Sequence, residues 1–247
     1  MVKKNSMLEH INIESVLFLD IETVPMSRRY DDLPEAFRRL WDKKSETLSK
    51  FERNGTDSVK TPAEWYERAG IYAEFGRIIC ISTGVLRGGT LWIKSFYGDH
   101  EKDLLNDFAL MLGKSAEKKF LYLCAHNGRE FDFPYLIRRM LIHAIPVPAI
   151  LDLSGKKPWE VNHLDTMDLW KFGDYKSFTS LELLAALFNI PTPKDDIEGK
   201  DVARVYYEEH DLPRIVTYRQ KDVVTIVSLL LKLKGKEAVK EEQITYV

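Results

Sequence analysis

The chain is 247 residues long, 45% hydrophobic and 11% aromatic, enough to bury a sizeable core and unlike a disordered segment. Its 36 Lys and Arg against 38 Asp and Glu leave a formal net charge of −2. No global positive field announces a polyanion partner, so any grip on nucleic acid has to be local. Met1 to His10 is polar and lacks the apolar run of a signal peptide, and no stretch reaches the length of a membrane span. The expectation is a soluble, cytoplasmic protein. Cys80 and Cys124 both lie in apolar runs. They cannot make a four-cysteine zinc site and read as buried, reduced thiols.

In chain order, Ser15 to Ile21 (SVLFLDI) is an apolar run ending in acid, which predicts a buried strand. From Pro25 to about Gly76 the character changes. Ten Lys/Arg and nine Asp/Glu lie between Arg28 and Arg68, together with Phe37, Trp41, Phe51, Trp65 and Tyr66. Pro34 and Pro62 (behind Thr61) suit helix starts, and Asn54–Gly55 suits a turn between them. This is an inserted helical subdomain or an ordered flap. Its aromatic and basic residues suit either a cover over a single strand or packing on the domain, the commoner fate of aromatics.

Arg77 to Leu86 and Thr90 to Tyr97 are β-rich, and Arg87–Gly88–Gly89 makes them a hairpin. Glu101 to Leu112 carries apolar residues at helical spacing, Phe120 to Ala125 reads as a buried strand, and Phe131 to His143 as a helix. Asn162 to Trp170 reads as a short strand and Ser177 to Phe188 as an amphipathic helix. Helices over Asp201 to His210 and Pro213 to Lys234 close the chain. The alternation predicts an α/β fold, a mixed sheet with helices on both faces and a helical insertion after the first strand. No repeat or linker divides it, so residues 1–247 are expected to form a single domain.

The carboxylates fall into groups. Asp20 and Glu22 stand at i and i+2 at the end of a buried strand, so they share a face and repel unless a cation lies between them. With 38 acids in the chain, about six acid-x-acid pairs arise by chance; what marks this pair is the apolar run that places it at the edge of a core. Asp132 follows a strand and the polar loop His126–Asn127–Gly128, at a helix start. It suits a helix cap and a ligand-facing acid equally. Tyr218 and Asp222 lie four apart in a largely apolar helix. A buried acid there needs a partner, either a metal or an arginine. Asp165 and Asp168 read as structural hydrogen-bonding groups at a strand end.

Together, Asp20-Ile-Glu22, the loop from Asn127 to Phe131-Asp132, and Tyr218-x-x-x-Asp222 resemble the three motifs of the DEDD superfamily of 3'-5' exonucleases. Tyr218 matches the Tyr-type branch; the His-type branch would need His where Thr217 stands. The resemblance is nearest to exonucleases related to the proofreading domain of family-B DNA polymerases. It also rests on Ala73-Glu74-Phe75-Gly76-Arg77-Ile78-Ile79-Cys80-Ile81-Ser82 and Ala125-His126-Asn127-Gly128.

It implies a ribonuclease-H-like fold and hydrolysis of single-stranded nucleic acid, DNA favoured, from its 3' end to nucleoside 5'-monophosphates. It implies two ions, Mg2+ or Mn2+, held by Asp20, Glu22, Asp132 and Asp222 in a two-metal mechanism. Tyr218 would orient the attacking water. Thr23, Asn127 and Phe131 would contact the substrate, Phe131 serving equally well as core packing. A chain of 247 residues leaves no room for a polymerase domain, so proofreading in cis is not expected, and the protein would act alone or with a partner that the sequence does not name. Competing readings are an inactive nucleic-acid-binding module, a metal-dependent phosphoesterase acting on small substrates, and a scaffold whose insertion binds a protein.

Overall fold

A computed structural model describes residues 6–52, 60–116, 120, 122–174, 176–191 and 197–247. At its centre is strand β1, Val16–Pro25, whose residues are almost all buried. It pairs antiparallel with β2, Gly76–Arg87, and parallel with β4, Tyr122–Ala125. β3, Thr90–Tyr97, pairs antiparallel with β2, and β5, Leu164–Asp165, parallel with β4. A three-residue edge strand, β6 (Ile244–Tyr246), runs parallel to β3 and completes the order β5-β4-β1-β2-β3-β6. The β2–β3 turn is Gly88–Gly89, both at positive φ, as a two-residue hairpin demands.

Strand alternation decides what each face of β1 meets. Leu17, Leu19 and Ile21 join Leu105, Phe108, Phe133 and Leu136 from helices α3 (Glu101–Ala116) and α4 (Asp132–Ile142). Val16 and Phe18 face the other way, onto Val223, Ile226, Val227 and Leu230 of the long helix α8 (Leu212–Leu233). Each such side chain, fully buried, contributes about 1.5–3 kcal/mol. By the same alternation Asp20 and Glu22 point toward α8, past the end of its apolar stripe.

The insertion folds as α1 (Glu35–Glu52) and α2 (Pro62–Tyr66). Thr61 and Glu64 form a capping box at the start of α2. Trp41, Trp65, Tyr66 and Phe75 are buried in a small core of the insertion's own. Trp41, Trp65 and Tyr66 therefore pack rather than cover, while Phe37 and Phe51 are exposed. Asn54–Gly55 lies outside the described residues.

Three expected elements differ. Of Asn162–Trp170 only Leu164–Asp165 is strand, because Asp165 caps a helix instead. Its carboxylate accepts from Met167 N and Asp168 N, starting α5 (Thr166–Lys171). The helix expected from Ser177 begins at Leu181 (α6, Leu181–Leu187), where Ser180 accepts from Leu183 N. Asp201–His210 is a short helix, α7 (Val202–Arg204), that widens into a π-helical turn, Val205–Glu209, and stops at His210 with φ 55°. Among the described residues no helix is long and apolar enough to cross a membrane. Cys80 and Cys124 are free and buried.

Candidate active site

The site gathers where β1, the β4–α4 loop and α8 meet. Asp20, Glu22 and Asp132 are all buried. A break in the β1–β2 register falls between Glu22 and Thr23, directly after the acidic pair; such bulges re-aim the side chains that follow. Asp132 comes from the opposite layer, at the first turn of α4. Its carboxylate accepts from Ile21 N at 3.1 Å and lies against Asp20. It is not the N-cap of α4; Phe131 is. Burial, and next the charge of Asp20, push the Asp132 carboxyl well above the usual carboxylate range.

Arg219 sits among the acids. Its Nη1 donates to Asp20 and lies 3.1 Å from Asp222 Oδ2, and its Nη2 donates to Glu22. Its guanidinium carbon lies 5.0 Å from the centre of the Tyr218 ring. Burial alone would lower its pKa; the charges of Asp20 and Asp222 outweigh that and raise it. Tyr218 and Asp222 are thus tied to the β1 acids through one cation. Tyr218 packs on its other side against the cluster of Val24, Ile79 and Ile215.

The loop after β4 is braced from beneath. The Asp165 carboxylate accepts from Asn127 N at 2.9 Å and Arg129 N at 3.0 Å as well as from Met167 N and Asp168 N. That brace lets Asn127 keep φ 62°. Gly128 is obligatory in this loop, because a Cβ there would stand 2.3 Å from Ala125 Cβ. His126 is held at both ring nitrogens, by Thr166 Oγ1 at 2.8 Å and Thr179 O at 3.0 Å. A carbonyl only accepts, so Nε2 carries the proton. Burial lowers the pKa of the ring, which keeps it neutral and places it as a strut rather than a charge.

A cleft of about 440 Å³ opens over these groups. Asp20, Glu22, Thr23, Asn127, Phe131, Asp132 and Arg219 line it. Six of the eight expected site residues therefore share one cavity, and Tyr218 and Asp222 join it through Arg219. Phe131 serves two ends, since it faces the cleft and also packs, tilted by 51°, against Tyr135 with ring centres 5.4 Å apart. The other walls come from the insertion (Glu67, Arg68, Gly70, Ile71) and from Gly199, Lys200 and Ala203.

The acids offer only oxygen, the donor set of hard cations such as Mg2+ and Mn2+. Among the described residues no three His, Cys, Asp or Glu side chains are gathered tightly enough to hold an ion as they stand. Asp20, Glu22 and Asp222 hold the Arg219 guanidinium instead. One positive charge among four acids leaves a deficit, so the residues fit a divalent cation in charge and in donor chemistry.

Residues 71–244 match the family described as a predicted 3'-5' exonuclease related to the exonuclease domain of PolB. The chain belongs to that exonuclease family. The matched stretch includes Asn127, Phe131, Asp132, Tyr218 and Asp222, while Asp20, Glu22 and Thr23 on β1 precede it. Among solved structures, the fold is similar to a family B DNA polymerase from the hyperthermophilic archaeon Pyrobaculum calidifontis. The TM-score is 0.55 at 12% sequence identity, over 87% of this chain and 24% of that one. This exonuclease-family chain thus spans about a quarter of the polymerase's length, and the likeness concerns the fold. Comparison with curated proteins returns no match.

Sequence reasoning missed Arg219, Arg68 and Lys200. Arg219 had a signal, since it lies three residues before Asp222 on one helix face. Arg68 was one of many basic residues in the insertion and Lys200 had no signal; only the folded insertion and the turn before α7 bring them to the cleft.

Proposed function

We propose that this chain is a metal-dependent 3'-5' exonuclease acting on single-stranded nucleic acid, DNA favoured, and releasing nucleoside 5'-monophosphates. The observation that carries the reading is the convergence of Asp20, Glu22 and Asp132 in one cleft, with Asp222 joined to them through Arg219. Asp20, Glu22, Asp132 and Asp222 would hold Mg2+ or Mn2+. Ions there supply Lewis-acid polarisation of the scissile phosphate and of the attacking water.

The chain's own groups do the rest. Tyr218, whose phenol ordinarily stays protonated near neutral pH, orients the water by hydrogen bond rather than removing its proton. Asn127, on its braced loop, offers an amide to the terminal nucleotide, and Phe131 offers a ring face for stacking. Thr23, just past the bulge, stands on the same wall. Residues 1–247 act as one exonuclease domain in this reading, with the insertion over 25–76 as part of the cleft.

The test is digestion of 5'-labelled single-stranded DNA and RNA with Mg2+, Mn2+ or EDTA, for wild type, Asp20→Asn and Asp222→Asn. The expected result is a metal-dependent ladder shortening from the 3' end. Each variant should lose about 100-fold or more in rate, at least the cost of disturbing a metal site's outer shell. Folded protein without a ladder, or a ladder that persists in both variants, would sink the proposal. A second reading, an inactive strand-binding module, is favoured by one observation, the Arg219 guanidinium already occupying the oxygens of Asp20, Glu22 and Asp222. Strand binding without turnover in either ion selects it.

A further inference from the structure

The insertion has a face in the cleft that neither the acids nor the family motifs account for. Its turn Ala69–Ile71 is fixed from behind. Ala69 is fully buried, and Gly70 lies so close to β1 that a Cβ would stand 3.0 Å from the Val24 carbonyl carbon. The Gly70 carbonyl accepts from Tyr135 Oη of α4 at 2.8 Å. Beside it, Ser27 N donates to Tyr66 Oη at 3.1 Å and Met26 N to Phe75 O at 2.8 Å, which fastens the insertion to the end of β1. On this anchored backbone Glu67, Arg68 and Ile71 are exposed, and all three line the cleft.

Ile71 is 47% exposed. The Arg68 guanidinium lies 5.8 Å from the centre of the buried Trp65 ring, which limits its wandering without neutralising it. On another part of the wall stands the exposed Lys200, 2.8 Å from Glu198.

We propose that the Arg68–Ile71 turn is a substrate-gripping wall for a single strand of nucleic acid. Arg68 meets a backbone phosphate, and Ile71 packs on the sugar or base beside it. The inference rests on the exonuclease reading and deepens it by assigning the insertion a role. Three observations favour a single strand as occupant. The cleft's volume is that of a small ligand, not of a duplex groove. Phe131 offers an aromatic surface in the same cavity. With a net charge of −2 the chain offers a polyanion no global attraction, so a cation such as Arg68 supplies local attraction where a strand enters beside four acids. Arg68 precedes the stretch that matches the family, and Ile71 is the first residue of that stretch.

The experiment uses the full chain as wild type, Arg68→Ala, Ile71→Ala and the double variant. Both side chains are exposed and outside the cores, and melting temperatures check that the fold is kept. Binding of a 5'-fluorescein single-stranded oligonucleotide is followed by anisotropy in EDTA over a salt series. Hydrolysis with Mn2+ is compared on the oligonucleotide and on the p-nitrophenyl ester of thymidine 5'-monophosphate, a probe too small to span the wall.

The double variant should bind the oligonucleotide about 10-fold more weakly and raise its KM in step, with kcat and ester hydrolysis within about twofold. Loss of one phosphate contact should reduce the slope of log K against log salt by about 0.7 in Arg68→Ala and leave it unchanged in Ile71→Ala. Unchanged binding and slope in folded variants overturn the wall. So does an equal loss on the small ester, which marks a structural role. If wild type hydrolyses neither substrate but the binding and slope changes appear, the catalytic reading fails and the wall stands.

Discussion

Three carboxylates brought within reach of one arginine make a balance that a single substitution upsets. Asp20, Glu22 and Asp222 all contact the Arg219 guanidinium, whose side chain is 12% exposed. Taking that cation away leaves like charges facing one another in a poorly hydrated site, and breaking such a pair costs about 3 kcal/mol or more. Arg219→Met in EDTA should therefore melt lower than wild type, by about 6–12 °C for a chain of this size. On the proposed function, a divalent ion would compete with the guanidinium for the same oxygens. Mn2+ should accordingly raise the melting temperature of Arg219→Met well above what it does for wild type, and calorimetric titration should show at least about fivefold tighter Mn2+ binding, roughly 1 kcal/mol. Equal Mn2+ stabilisation of the two proteins would mean that arginine and metal do not share the site.

Elements carry these residues, and the β4–α4 loop shows how. Its shape depends on Asp165, one strand away, which accepts four backbone N–H groups. Asp165→Ala orphans one buried and three part-buried donors at once and should cost about 2–4 kcal/mol. Urea melts should show that loss, and nuclease rate should fall with it because Asn127 and Asp132 lose their support. Asp165→Asn, which keeps one acceptor oxygen, should recover part of both. A melt unchanged within about 0.5 kcal/mol would show that water replaces the brace.

The same loop shows what was legible in the sequence. SVLFLDI, the Gly88–Gly89 turn and the apolar period of α8 name their elements because local pattern and burial agree there. Asp20, Glu22, Asp132 and Asp222 could be singled out as acids at element ends. The brace could not, since Asp165 acts on residues 38 and 36 positions away. The strand expected across Asn162–Trp170 failed for a local cause: the Asp165 carboxylate also caps α5. Likewise β6 is too short to carry a pattern, and the path of the insertion to the cleft is set by tertiary contacts alone.

Across the whole molecule one buried ion pair holds the layers to the insertion. Glu101 at the start of α3 accepts from Ile78 N of β2 at 2.7 Å, from Arg139 of α4 and, at Oε2, lies 2.7 Å from His143 Nε2. Arg139 also donates from Nη1 to Ala73 O at 2.8 Å, just where the insertion rejoins the sheet. Side-chain exposures of 8% and 6% put both charges out of water. Removing one partner then strands the other, so Arg139→Ala should cost about 3–5 kcal/mol in denaturant unfolding. Glu101→Gln/Arg139→Met removes both charges yet leaves an acceptor for Ile78 N, and should recover more than half of that loss.

The effect should also be uneven. Tyr135 and Arg139, one turn apart on α4, hold Gly70 and Ala73 of the insertion, so losing Arg139 should raise amide exchange across residues 65–76 more than in β1 or α8. If stability falls while exchange in that segment keeps pace with the rest of the sheet, the pair stabilises the layers only, and the wall over the cleft is held by Tyr135 and the β1 contacts.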